Sequence, residues 1–506
     1  MIDFVMIRIL AIGLAIFSAA PLRAAEAPIY VILWFDTEDY ILPASDDAAL
    51  RLANWLTQEK IRATFKVVGE KARTLERRGR QDVIAALARH EIGYHSNWHS
   101  VPPTPAQYLN ELGWDEGVAE FDRRERPGFD DVARIFGQTP SCYGQPGSSW
   151  GPQSFGALRR WGVPVYLDGG RHIDLDNRPL YFCGLLTLYK IDIIRTRLGG
   201  ADDLAQTEER FAAARRRLQA EGGGIISIIY HPCEFVHQEF WDAANFRHGT
   251  NPPRADWKLP RQKSPDQTEA AFRNFEEYVR FIQRFPDVRF ITARDAAAIW
   301  NDRAVDSPWT SNEIRAMAAR VGNDISFQQC EGERALAPSE ILALLANWLE
   351  QRQTQGRSPP SVRAPARTPL GPASAPPRLA EPLTVARHEF LAAASDVAAI
   401  LRSQDRVPSA VWFGSQSAPP EAFLAAAAKI VVRLIDGEEM PAQVEVAPAT
   451  LATTRFVADD NPDLWKWVIF PPGFRGPKLM DLAKLQAWTI KPALRERSAP
   501  KTPPRG

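Results

Sequence analysis

No charge of one sign dominates this chain: 61 lysines and arginines balance 61 aspartates and glutamates. A polyanion therefore meets no global attractive field, and nucleic acid is not expected as a partner. Cysteine is scarce. Four among 506 residues (Cys142, Cys183, Cys233, Cys330) do not make a disulfide scaffold, and the lack of any C-x-x-C pair excludes a zinc ribbon. Export would permit disulfides, with three pairings open. Beyond the N-terminus no apolar run approaches the roughly 20 residues of a membrane-spanning helix. A hydrophobic content of 45% against 24% charged is that of a globular chain rather than a disordered one. The length exceeds one ordinary core, so two or more domains are expected.

At the N-terminus Arg8 precedes the apolar run Ile9–Phe17, and small residues follow to Ala25. This is the order of a secretory signal peptide, expected over residues 1–25; an uncleaved anchor is the other reading. Cleavage would leave an exported protein, periplasmic, extracellular or bound at the cell surface, with no transmembrane segment.

Between residues 28 and 305 short apolar runs alternate with amphipathic stretches. The apolar runs predict strands at Ile29–Phe35, Ala63–Val68, Val163–Leu167, Ile225–Tyr230 and Val288–Thr292. Helices are predicted at Asp46–Glu59, Arg80–Ala88, Glu208–Ala220 and Glu269–Arg284. Strands separated by helices imply parallel pairing with right-handed crossovers, an α/β layer or barrel. Polar residues just past the strand ends then build the site.

The remainder divides differently. Residues 359–382 carry eight prolines and read as a stiff, poorly packing linker. Leu342, Pro359 and Val362 recur as Leu391, Pro408, Val411 and as Leu424, Pro441, Val444, always 17 and then 3 apart. Each unit reads as a helix, a turn and an extended P-x-x-V segment. A first helical repeat is thus expected at 306–358, further repeats at 383–490, and a frayed tail at 491–506.

Three clusters carry chemistry. In HSNWH, His95 and His99 are four apart, so on one face of a helical turn both imidazoles reach one cation. Nitrogen ligands in this arrangement suit Zn2+. In WFDTEDY, Asp36, Glu38 and Asp39 crowd the end of an apolar strand. Three neighbouring carboxylates repel unless a cation offsets them, and a metal ligand plus a separate general base accounts for them. In IISIIYHPCEF, Pro232 forces the chain out of the sheet just after His231. An imidazole there is placed for proton transfer, with Glu234 close enough to orient it.

WFDTED, ATFKVVG, HEIGYHSNWH, YGQPG and YHPCEF stand in the order of the motifs of polysaccharide deacetylases, the NodB-homology carbohydrate esterases, which the chain resembles from Ile29 to Trp300. The resemblance implies a distorted seven-stranded β/α barrel that removes N- or O-acetyl groups from chitin-like or peptidoglycan sugars with a divalent metal, usually zinc. It implies Asp36 as general base, His231 as general acid, and His95 and His99 as metal ligands. The carboxylate ligand is Glu38 or Asp39; strand alternation places Glu38 on the face of Asp36. Tyr143, Gln145, Pro146 and Asp168 would contact substrate. The third motif departs from the family: Gly144 stands where an arginine usually contacts the base, and Gly147 where an aromatic is usual. Asp168 falls near the aspartate that pairs with that arginine. The C-terminal repeats loosely resemble pseudomurein-binding repeats, which implies either a module holding a cell-wall polymer or a structural cap on the barrel.

The reading is therefore a metal-dependent deacetylase of an extracellular or cell-wall glycan. Hydrolysis of a non-sugar amide or ester, or glycan binding without catalysis, are the alternatives.

Overall fold

A computed structural model describes residues 27–199 and 202–496. The expected signal peptide, 1–25, and residues 497–506 lie outside them. Nine strands from the first half enter the principal sheet: β1 (Ile29–Thr37), β2 (Thr64–Val67), β3 (Glu91–Tyr94), β4 (Cys142–Tyr143), β5 (Val165–Leu167), β6 (Leu180–Phe182), β7 (Leu185–Leu188), β8 (Gly224–Tyr230) and β9 (Val288–Ile291). Seven of them, β8, β1, β2, β3, β4, β5 and β7, lie side by side in that order and parallel. The chain just past β7 reaches β8: Ile193 bridges Ser227 in parallel, and the Ile194 N–H donates to Ser227 O at 3.1 Å. The seven parallel strands expected of a distorted β/α barrel are therefore present, with helices such as Ala44–Gln58, Gly69–Arg77 and Trp114–Phe136 between them in the chain.

Alternation along β1 divides the apolar interior in two. Val31, Leu33 and Phe35 join the large core shared with the helices. Ile32 and Trp34 face the other way and cluster with Cys142, Val165, Leu167, Leu186, Leu188 and Ile225 from the neighbouring strands. Side chains two apart on a strand share a face, so Asp36 follows Ile32 and Trp34 inward.

All five predicted strands and all four predicted helices form, within a few residues of their expected bounds. The strands that sequence periodicity misses, β3, β4, β6 and β7, have only two to four residues each, too few to show a period. The helix Trp114–Phe136 was hidden by Gly117, Pro127 and Gly128, breakers that tertiary packing overrides. Gly128 is required there: a Cβ would stand 2.6 Å from Asn97 Oδ1 and 2.7 Å from the Tyr94 hydroxyl.

In the second half, the helices Pro338–Gln355, Arg387–Gln404 and Pro420–Ile435 precede strands that carry Val362, Val411 and Val444, all buried. Their apolar faces merge with the outer core of the barrel. Two expectations need correction. Residues 359–382 are not poorly packed over their first half. The proline-free strand Ser361–Arg363 pairs antiparallel with Pro308–Thr310, Val362, Ala364 and Thr368 are buried, and Gly371 N–H donates to Gln486 Oε1. The prolines flank that strand rather than interrupt it, so its backbone donors survive. Nor does a tail begin at 491: Lys491–Pro492 pairs antiparallel with β6. The four cysteines are unpaired, and no described helix is long and apolar enough to cross a membrane.

Candidate active site

The C-terminal ends of β1, β3 and β8 converge. β1 delivers Asp36 and, past its end, Glu38; the loop after β3 delivers His95 and His99; the exit from β8 delivers His231. Asp36, Glu38, His95 and His99 are each less than 5% exposed.

The two histidines do meet, but not on a helical turn as their spacing suggested. Residues 95–100 form a loop in which Ser96 (φ 66°) and His99 (φ 56°) take left-handed backbone, which folds the chain back on itself. The imidazole centroids lie 4.9 Å apart. Glu125 holds this loop from the side: it accepts from the Asn97 N–H at 2.7 Å and the Tyr94 hydroxyl at 2.8 Å.

Each histidine is oriented through Nδ1, His95 against Gly144 O (3.0 Å) and His99 against Ser100 Oγ. Both Nε2 atoms are thereby left toward Glu38 Oε2, at 3.8 Å from His95 and 2.9 Å from His99. The His99 contact is out of hydrogen-bond alignment, and Glu38 Oε1 is buried with no partner. Two imidazole nitrogens and a carboxylate oxygen within 4.8 Å of one another, oriented by outer hydrogen bonds, fit a divalent transition ion such as Zn2+. Asp39, the alternative ligand, turns away. Its Oδ1 accepts from the Ile41 and Leu42 N–H groups at 2.9 and 3.0 Å.

Asp36 has a different neighbourhood. Lys66, directly opposite it on β2, is fully buried. Its Nζ stands 3.0 Å from Asp36 Oδ1 and donates to Asp168 Oδ2 and Leu167 O, each at 2.9 Å, above the Trp34 ring. Burial pushes the Asp36 carboxyl up, but His95, Lys66 and His231 outweigh it and hold it below the usual range. One ammonium between two carboxylates leaves a negative charge in excess, and burial pushes Asp168 up to about 7.

Lys66 also accounts for the departure at Gly144. A Cβ on residue 144 would lie 1.9 Å from Lys66 Nζ and 2.3 Å from Asp168 Oδ2. The space of a side chain from β4's end is thus filled by an ammonium from β2. Its sequence signal was a charged residue within the apolar run ATFKVV. Gly147 shows the same pattern: it has φ 52°, and a Cβ there would lie 2.2 Å from the Trp467 ring. Trp467 comes from the second half of the chain, packs edge-on to His99 at 5.4 Å and donates through Nε1 to Asp242 at 2.9 Å. Nothing in the sequence marks it.

His231 faces Asp36 Oδ2 at 3.7 Å through Nε2. Behind it, Glu234 Oε2 accepts from the His231 N–H at 2.9 Å and stands 3.2 Å from Nδ1, while Arg195 grips both Glu234 oxygens. Burial pushes the His231 imidazolium down, yet Glu234, Glu38 and Asp36 raise it to about 9. The group is cationic at neutral pH.

The four residues expected to contact substrate are all buried. Tyr143 is fully buried among Tyr94, Phe121 and Tyr166. Gln145 accepts from the Tyr166 hydroxyl and donates to Gly147 O and Gly169 O. Pro146 is buried, and Asp168 belongs to Lys66.

No family model and no curated protein matches the chain. Solved structures similar to it over 54% of its length include a Mycobacterium smegmatis protein described as a polysaccharide deacetylase (16% identity, 90% of that chain, TM-score 0.36). Another is PuuE allantoinase, at 15% identity over 54% of this chain and 92% of that one, TM-score 0.35. A family 4 acetyl xylan esterase from Clostridium thermocellum, in complex with a cobalt ion, is similar at 16% identity over 54% and 91% of the two chains, TM-score 0.28. The chain is thus similar to solved polysaccharide deacetylases and related hydrolases over about half its length.

Proposed function

We propose that this chain is a metal-dependent deacetylase that hydrolyses N- or O-acetyl groups of an extracellular or cell-wall polysaccharide. The observation that carries the reading is one constellation: a Glu38–His95–His99 donor set flanked by the carboxylate of Asp36 and the imidazolium of His231. A divalent ion held by Glu38, His95 and His99, Zn2+ by the nature of the donors, would supply Lewis acidity toward the acyl oxygen. Asp36, kept ionised against burial by His95, Lys66 and His231, is the acceptor for the proton of an attacking water. His231, protonated at neutral pH, donates from Nε2 to the departing amine or alcohol. Glu234 and Arg195 hold that imidazole in place.

Trp467 lines two cavities of about 370 and 320 Å3, the second also lined by Ser148, Gly169 and Arg171. A flat aromatic side chain with a polar rim suits pyranose rings of a polymer lying across it. The reading includes export, supported by the order Arg8, Ile9–Phe17, Ala25, and polymer binding by the helix and P-x-x-V repeats, supported by their periodicity.

The test is acetate release by the Zn2+-loaded protein from acetylated chitooligosaccharides, acetylxylan and peptidoglycan, with His95→Ala and Asp36→Asn beside it. The expected result is release from at least one polymer. His95→Ala should lose both metal and turnover. Asp36→Asn should keep metal while turnover falls by roughly 100- to 10,000-fold. Metal-loaded protein inert on every glycan overturns the proposal.

A further inference from the structure

The third carboxylate of the β1 end is left over by the site above, and its surroundings are unusual. A carboxylate oxygen of Asp39, Cys233 Sγ and a ring nitrogen of His237 lie within 4.8 Å of one another. The three residues are at most 4% exposed. Asp39 Oδ1 is used by two backbone N–H groups, but Oδ2 is buried with no partner, and so is His237 Nδ1. Leaving such atoms unpaired costs roughly 1–3 kcal/mol each, so their convergence calls for a ligand that satisfies them together.

Water would pair with the carboxylate and the imidazole but leave the weakly hydrogen-bonding thiol unused. A thiolate, an imidazole and a carboxylate are, however, the three donor types that Zn2+ accepts. We infer that Asp39, Cys233 and His237 form a second site for a divalent transition metal ion, adjacent to the first and distinct from it.

The short loop after β8 explains how the donors come together. Pro232 starts a single 3-10 turn, Pro232–Phe235, and Cys233 O accepts from the His237 N–H at 3.0 Å, so residues 233 and 237 return to one side. Asp39 is fixed opposite them by its own turn, with Lys71 Nζ donating to its carbonyl at 2.6 Å. Asp39 follows Glu38 directly in the chain, which makes the two clusters neighbours. A route in exists, because His237 also lines a cavity of about 490 Å3 with Arg195, Phe240 and Lys263. On binding, the Cys233 S–H bond breaks, a sulfur–metal bond forms, and the proton leaves to solvent. Because the thiol must lose its proton to ligate, occupancy rises with pH.

The test uses the full chain with ZnCl2 and CoCl2 as the only probes. Elemental analysis after equilibration with Zn2+ should find two equivalents in the wild type and one in Cys233→Ser. The Co2+ form should show a near-ultraviolet thiolate-to-cobalt charge-transfer band that survives His95→Ala and vanishes in Cys233→Ser. If Cys233→Ser fails to fold, His237→Asn, which keeps a polar group of similar size, takes its place in the stoichiometry. The wild-type band needs no variant. Failure of the first site would leave one equivalent with the band intact. One equivalent in the wild type with no such band overturns the second site.

Discussion

Asp36, Glu38 and Asp39 stand within four positions, yet the structure sends their carboxylates to three places: the Lys66 ammonium, the two histidines, and the Cys233–His237 cluster. Like charges this close separate wherever each can find its own counter-charge. Lys66 matters most, because two buried carboxylates depend on it. Removing one partner of a buried ion pair costs about 3–5 kcal/mol, so Lys66→Met should destabilise by that order and suppress turnover. Gly144→Ala should also be harmful in the wild type, since its Cβ meets the ammonium. In the Lys66→Met background the clash with the ammonium is relieved while that with Asp168 stays, so the two losses should sum to less than their separate values. A double-mutant cycle on urea midpoints and on kcat/KM measures the coupling; additivity would mean that the two positions do not share the space.

The strand end of β8 and its one-turn helix act as a unit in which Glu234 both caps the turn and faces His231. His231 is raised from about 6.5 to about 9, so its contribution to stability is complete below pH 6.5 and fades as pH rises to 9. Glu234 is depressed to about 2: burial raises it, but His231 and Arg195 lower it further. Its contribution is complete above its unfolded value of about 4.3 and is lost as pH falls through about 2. Both are therefore intact between roughly pH 4.5 and 6.5. In metal-free protein the difference in melting temperature between wild type and Glu234→Gln should peak in that window and shrink on both sides. The alkaline limb of kcat/KM should move to lower pH in the variant, because the acid loses the carboxylate that keeps it protonated. A pH-independent difference would make Glu234 a cap and nothing more.

Across the whole molecule, the second half completes the first. Lys491 is fully buried and bonds both Glu340 oxygens at 2.7 and 2.8 Å and Asp302 at 2.6 Å, joining the sheet edge to the helix Pro338–Gln355. Arg159 of the barrel donates to Thr368 O and reaches Asp405. With one continuous core beneath these contacts, the chain should unfold as one unit. Lys491→Met should cost about 3–5 kcal/mol and lower the urea midpoint of signals from both halves. Followed through Trp34 on β1 and Trp348 on the helix, loss confined to the second half would mean that the halves are coupled only weakly.

Local pattern and residue type were enough for the main strands and helices, the repeat of helix and P-x-x-V, and the choice of Asp36, Glu38, His95, His99 and His231 as candidates. Apolar runs carry their own period, and metal-binding or proton-transfer side chains announce themselves by identity. Strand alternation put Glu38, rather than Asp39, on the face of Asp36. Other features depended on packing between distant segments. The His95–His99 approach comes from left-handed backbone held by Glu125, and no spacing rule encodes it. Lys66 and Trp467 fill the spaces left by Gly144 and Gly147 from positions 78 and 320 residues away along the chain. A missing side chain is visible in a sequence. What fills its volume is decided by which strands and loops become neighbours, and that is a property of the folded chain alone.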